Sequence, residues 1–309
     1  MQNRGDGELG LEIISYIGHT LFNSAATTFL SYSNLWKCLE SEVEIVDSGP
    51  GYESCGTHVH VSVFDRKRHS REHFKLLAKA VVYFERCVDS LMPPCRRHNK
   101  FCRSNRYNSK LKSLSMPQII QAIEDVGWRS ETPEFQLVDL LCPVLENGSH
   151  RYYRWNFFNL TNPNPHRWTV EFRQPPGSTT AYQAKLWPQF ALAFIRGAAL
   201  YNIKGISLGN RSLGPSIDSS HPATMDELSM MLVKGGTGVN GVDTGILRDL
   251  VEGKEMLDEG SCDEESFGPE DDQYIEAKER AGKVIADKFQ AHAETFLEEL
   301  PFADGPGGF

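Results

Sequence analysis

Residues 57–64 read THVHVSVF and residues 167–173 read RWTVEFR. Each run is rich in β-branched and aromatic residues, with polar ones set two apart, which is the period of a strand. Both are bounded by turn-rich stretches, DSGPGYESCG before the first and TNPNPH before the second. On a strand, residues i and i+2 share a face. The first run therefore sets His58 and His60 side by side, and the second does the same for Glu171 and Arg173. A chain built this way needs a sheet with an apolar face to bury and a second face that carries ionisable groups.

Around these runs the helical period dominates. Phe74, Leu77, Val81, Phe84, Val88 and Leu91 recur at steps of three and four, which predicts one amphipathic helix over 70–91, capped by Ser70 and stopped by Pro93-Pro94. Further helices are expected at 31–41, 116–126, 180–203, 224–233, 244–257 and 272–300. The helix over 180–203 contains Pro188, where a kink or interruption is expected. Strands are expected at 10–16 (GLEIISY), 43–47 and 151–160 (RYYRWNFFNL), the last forming an antiparallel hairpin with 167–173. The fold class is α+β. The organisation reads as a catalytic domain over 1–220 and a helical extension over 221–309, interrupted by an acidic loop at 258–271.

Charge is unevenly spread. From Val251 onward there are 17 acidic against 5 basic residues, while the first 250 residues hold 24 acidic and 27 basic ones. That mildly basic body suits an anionic ligand such as a nucleotide, and it lacks the dense basic stripe of a nucleic-acid binder. No apolar run of membrane-spanning length occurs, and MQNRGDGELG has no secretory pattern. Seven scattered cysteines without a signal read as reduced thiols, so a cytoplasmic compartment is expected.

The chemistry concentrates in a few residues. His58 and His60 on one strand face can hold a divalent metal or a phosphate, although strand histidines also serve as ordinary bonded side chains. Glu171 can ligate Mg²⁺ or Mn²⁺ through oxygen, and Arg173 can grip a carboxylate or phosphoryl oxygen with its planar fork. The plain alternative is a surface ion pair. Arg103, Arg106, Arg151 and Arg154 sit among Tyr and Asn, as anion-recognising arginines do, and for any one of them a solvated charge is the plain alternative. Glu12 is a lone carboxylate in an apolar strand and needs a partner. Two motifs carry less. Gly236-Thr-Gly238-Val-Asn-Gly241 follows a helix and so fails the dinucleotide context, and Cys95, His98 and Cys102 lack a fourth zinc ligand. Neither a nucleophile elbow nor a Walker A loop is present.

In order, GLEIIS, CGTHVHVS, RSNRYNSKL, RYYRWNFFNL and TVEFRQPPGS resemble the amidoligase family known mainly from fungi and bacteria, among the glutamine synthetase-like carboxylate–amine ligases. The resemblance spans roughly 7–205. It implies a curved, mostly antiparallel sheet with the site on its concave face and helices outside. It implies an ATP-dependent reaction in which a small-molecule or peptide carboxylate is activated as an acyl phosphate and joined to an amine, with Mg²⁺ or Mn²⁺ on the phosphates. By the same resemblance His58, Glu171 and Glu12 are metal residues. His60, Arg103, Asn105 and Tyr107 lie at the nucleotide and substrate pocket, while Arg151, Arg154 and Arg173 hold the phosphoryl and carboxylate groups. The family carries an opening strand before G-x-E-I-I-S, whereas here only MQNRGDGE precedes Leu9. An unpaired sheet edge and an incomplete metal site are therefore expected, with a catalytically inactive binding or scaffold protein as the second reading. A metal-dependent hydrolase is the third.

Overall fold

The computed structural model describes residues 36–37, 55–62, 71–127, 133–145, 151–164, 168–204 and 216–254. Glu12, the strands expected at 10–16 and 43–47, the acidic loop and the helix at 272–300 lie outside the described residues. So does the helix at 31–41, except for Trp36 and Lys37, which are helical.

The two alternating runs become β1 (Val59–Ser62) and β3 (Thr169–Phe172), and β2 (Trp155–Asn156) pairs with β3. The sheet is antiparallel throughout, with the spatial order β1-β3-β2. The strand expected over 151–160 shrinks to two residues. The Asn156 side chain accepts a hydrogen bond from the Phe158 amide at 2.9 Å, and this turn diverts the chain into a 3-10 helix over Phe158–Thr161. The chain is thus mixed helix and strand, with a small open three-stranded antiparallel sheet.

The helix expected over 70–91 forms as α1 (Arg71–Tyr83) and α2 (Glu85–Ser90), separated at Phe84, whose backbone sits at φ −89°, ψ 5°. Beyond the break the apolar stripe gives way to buried Glu85 and Asp89, which bind Arg154. A short α3 (Pro94–Arg97) follows, then α4 (Met116–Glu124), whose Ser115 amide donates to the Gln118 side chain at 2.8 Å in a capping box. Two buried lysines of α1 close on the end of α4. Lys75 donates to the Glu124 carbonyl at 2.5 Å and Lys79 pairs with the Glu124 carboxylate, as cations at a helix C-terminus should.

After α5 (Pro133–Leu141) and the sheet comes α6 (Ala181–Leu200), capped by the Thr180 hydroxyl and running without a break through Pro188. It ends three residues sooner than expected. Tyr201 turns extended, and β4 (Asn202–Lys204) pairs in parallel with β5 (Ser216–Asp218), so Ile203 is buried in a strand. Then α7 (Met225–Gly236) packs along α6, and α8 (Thr244–Val251) packs on α7. The helix expected to reach 257 stops at Val251, where Glu252 is extended and Gly253 takes φ +72°. Gly238 and Gly241 also lie at positive φ, so the G-x-G-x-x-G match is the loop after α7.

The core is aromatic. Trp155 stacks on Phe172 at 4.5 Å and on Phe194 at 4.9 Å, and Phe172 stacks on Phe190 at 5.3 Å. This slab joins the apolar face of the sheet to α6 and leaves the other face for polar groups. Against α7, α6 approaches so closely that a Cβ on Gly235 would lie 1.9 Å from the Ala193 carbonyl oxygen. Gly235→Ala is therefore expected to destabilise the protein by about 2–3 kcal/mol through overpacking. Urea denaturation is the check, and an unchanged midpoint would refute the close approach. Among the described residues no helix is long and apolar enough to cross a membrane.

Candidate active site

The polar face of the sheet is organised by register. Glu171 on the central strand lies opposite His60 on one side and Asn156 on the other. One step further along β3, Arg173 donates its amide to the Arg154 carbonyl at 2.8 Å and faces His58. Two rows result: His60–Glu171–Asn156, and His58–Arg173–Arg154. The ends of the motifs are tied together as well. Gly56 bridges to Pro176, the Thr57 hydroxyl donates to the Pro176 carbonyl at 2.8 Å, and the Gly177 amide reaches the Cys55 carbonyl at 3.2 Å. CGTHVHVS and EFRQPPGS therefore form one paired unit.

Glu171 is the hub. Its Oε2 accepts from the Asn156 amide at 2.8 Å, and its Oε1 accepts from Arg173 at 2.5 Å. The same Oε1 lies 3.4 Å from His58 Nδ1 and 3.4 Å from His60 Nε2. Both separations are long for a hydrogen bond. They match a different geometry, since two ligands held about 2.1 Å from one ion stand roughly 3.0–3.4 Å apart. Yet among the described residues no group of three or more His, Cys, Asp or Glu is assembled to hold a metal. His58 and Glu171 could share a cation only if water and phosphate oxygens supplied the rest of its shell.

The electrostatics follow from these contacts. Burial alone would raise the Glu171 carboxyl. The facing His60 imidazole, the Arg173 guanidinium and the His58 imidazole outweigh it and hold the carboxyl down at about 2. Burial and then the Arg173 guanidinium press the His58 imidazole down to about 3 against the pull of Glu171, even though 34% of the side chain stays open to solvent. His58 is thus neutral at physiological pH, the form in which imidazole binds metals.

A pH dependence of stability follows. Below its unfolded-state value of 6.5, His58 takes up a proton in the unfolded chain that the native fold refuses. Its contribution is complete above pH 6.5 and is lost as pH falls toward 3, while that of Glu171 is lost only from pH 4.5 toward 2. In thermal melts from pH 7 to 4 in chelator, His58→Gln is expected to flatten the loss on the acid side. An unchanged slope would remove His58 as its source.

The other expected residues have distinct places. Arg173 is almost buried, with its guanidinium 5.7 Å from the centre of the Tyr152 ring. Arg151 is exposed, lies over the same ring at 5.1 Å and donates to the Tyr152 hydroxyl at 3.1 Å. Arg154 is buried in an ionic cluster, 2.7 Å from Glu85 and 3.2 Å from Asp89, and it also donates to the Arg97 carbonyl. Burial raises the Asp89 carboxyl to about 6, with Arg154 opposing. Asn105 is wholly buried. Its side-chain amide donates to the Trp155 carbonyl at 2.9 Å and accepts from the Trp155 amide at 2.9 Å, while Arg103 bridges to Tyr153 through the main chain. Tyr107 lines a separate shallow depression with Arg106, Lys112 and Ile119. The Cys102 thiol is buried and donates to the Arg96 carbonyl at 3.5 Å.

A family model described as "Putative amidoligase enzyme" matches residues 29–195. The chain belongs to the amidoligase family. The matched segment contains the candidate residues from His58 to Arg173 and leaves Glu12 outside. The amidoligases are ligases that form carbon–nitrogen bonds. No curated protein and no solved structure matches the chain. Several residues around this polar face had weak sequence cues or none. Asn156 was findable, since it shares strand parity with Arg154 in RYYRWNFF. Glu85 and Asp89, four apart, share a helical face but nothing local marks their partner Arg154, and Arg96 and Gln174 had no cue.

Proposed function

We propose that this protein is an ATP-dependent carboxylate–amine ligase whose site is the polar face of the sheet. The observation that carries this reading is the convergence of His58, His60, Arg173 and Asn156 on the single carboxylate of Glu171. A substrate carboxylate oxygen attacks the γ-phosphorus of ATP, ADP leaves, and an acyl phosphate forms. The amine then attacks the acyl carbon, phosphate leaves, and the amine nitrogen gives up a proton. Mg²⁺ or Mn²⁺, held through His58 and Glu171, would neutralise charge on the phosphates. Arg173 has one terminal nitrogen on Glu171, and its other has no partner among the described residues. That free donor is suited to a phosphoryl or carboxylate oxygen. Arg151, open to solvent, supplies charge at the rim. Arg154 acts from below by anchoring the strand ends, and Asn105 and Arg103 hold β2 in place. A glutamine synthetase-like curvature of the sheet, Tyr107 in the substrate pocket, Glu12 as a further metal residue and a cytoplasmic location belong to the same reading.

Calorimetry with ATP and Mn²⁺ or Mg²⁺ tests it. Binding is expected only with metal, and His58→Ala should abolish it. No binding at millimolar metal and nucleotide would defeat the proposal. A second reading, a ligand-binding protein without turnover, is favoured by Glu171 being the sole carboxylate paired with the two histidines among the described residues. Nucleotide binding with no ADP formed across a panel of acids and amines would select it.

A further inference from the structure

Arg96, on the four-residue α3, is among the largest fully buried side chains, with 1% of its surface exposed. Its Nε donates to the Gln174 carbonyl at 3.0 Å and its Nη2 to the Arg173 carbonyl at 2.8 Å. Among the described residues it makes no ion pair with a carboxylate, unlike Arg154 and Arg173. A buried charge without a counter-charge is costly. Its surroundings are also built to admit it. A Cβ on Gly56 would meet Arg96 Nη2 at 2.7 Å and His58 Nε2 at 3.3 Å, so only glycine lets the CGTH backbone lie over the guanidinium.

Set against the two rows, this gives the site a direction. The row centred on Glu171 is anionic, with a neutral amide at one side. In the other row Arg173 is paired with Glu171 and Arg154 with Glu85 and Asp89, whereas Arg96, which has no carboxylate partner among the described residues, lies under the His58 end. Charge held in a dry, fixed position acts strongly on a ligand at the surface above it.

We infer that Arg96 is a positioning residue that makes the Gly56–His58 end of the sheet the anion-binding end of the site, where the phosphoryl group of the nucleotide lies. It acts through its fixed charge and by holding the carbonyls of Arg173 and Gln174, which sets the direction of the Arg173 side chain. This rests on the ligase reading, which supplies the nucleotide.

The test compares R96M, R96K and G56A with the parent protein, titrated with metal–ATP and with pyrophosphate. R96M is expected to weaken both by about tenfold or more, since it removes the charge. R96K keeps the charge and loses the planar fork, so it should stay within about threefold of the parent while melting at a lower temperature. A merely structural role would instead lower both melting temperatures and leave affinity unchanged. G56A, which pushes on the guanidinium without altering any charge, should weaken pyrophosphate several-fold, and it decides the matter if R96M does not fold. Parent-like affinity in R96M or G56A would overturn the inference. A parent protein that binds no metal–ATP would instead overturn the ligase reading.

Discussion

Arg154→Met is expected to cost about 3–5 kcal/mol of folding stability, the range for breaking one side of a buried ion pair. The reason lies in what stays behind. Glu85 and Asp89 are 3% and 2% exposed, and Arg154 sits between their carboxylates. Ser104, the Asn105 amide and the Arg106 amide still donate to Glu85, and Gln174 still donates to Asp89 at 2.5 Å, but the guanidinium that paired both carboxylates is gone and Arg97 acts on Asp89 only from further off. The defect should carry a pH signature. Asp89 is already pushed up to about 6 by burial, so it protonates first and relieves the variant on acidification. Urea denaturation at pH 8 and pH 5 should show a smaller gap between variant and parent at the lower pH. An equal gap at both would mean that lost packing, and not stranded charge, causes the damage.

Glu171→Gln is expected to lower stability, because it strands the nearly buried Arg173 guanidinium, and to remove metal-dependent nucleotide binding from the protein that still folds. The glutamine keeps an acceptor for Asn156 and the shape of the side chain. It loses the anion that balances Arg173 and faces both imidazoles. Loss of an outer partner alone commonly costs 10–100-fold in metal affinity, so loss of the carboxylate itself should cost about 100-fold or more. The same substitution makes the polar face more cationic, so pyrophosphate without metal should bind more tightly than to the parent. Calorimetry reads both changes. Retained metal–ATP affinity in Glu171→Gln would exclude Glu171 as a metal residue.

Much of this site could be read from strand parity. His58 with His60, and Glu171 with Arg173, needed only the rule that every second residue shares a face, and the register places them together. The apolar helices were equally legible, since α1, α4, α6 and α7 follow stripes or caps. What failed did so for physical reasons. The strand over 151–160 was cut short by one asparagine side chain bonding to nearby backbone, a local competition that hydrophobic pattern does not register. The break at Phe84 separates an apolar stretch from an ionic one, and both keep the same helical period. Nothing in RSNRYNSK announces that the Asn105 side chain bonds the backbone of Trp155. That contact joins residues fifty apart in sequence, beyond the reach of any local pattern.

That last contact limits how the sheet can grow. An asparagine side chain can present an N–H and a C=O together, much as a strand residue does, and Asn105 presents both to Trp155 just where Arg103 lies alongside Tyr152 to Arg154. The β2 border of the sheet is thereby sealed, a protection against edge-to-edge association. Among the described residues β1 has a strand on one side only. The side of β1 is thus the one left open among the described residues, and alternate side chains of a strand joining there would stand next to His58 and His60. A strand added on that side would extend the sheet and its polar face together.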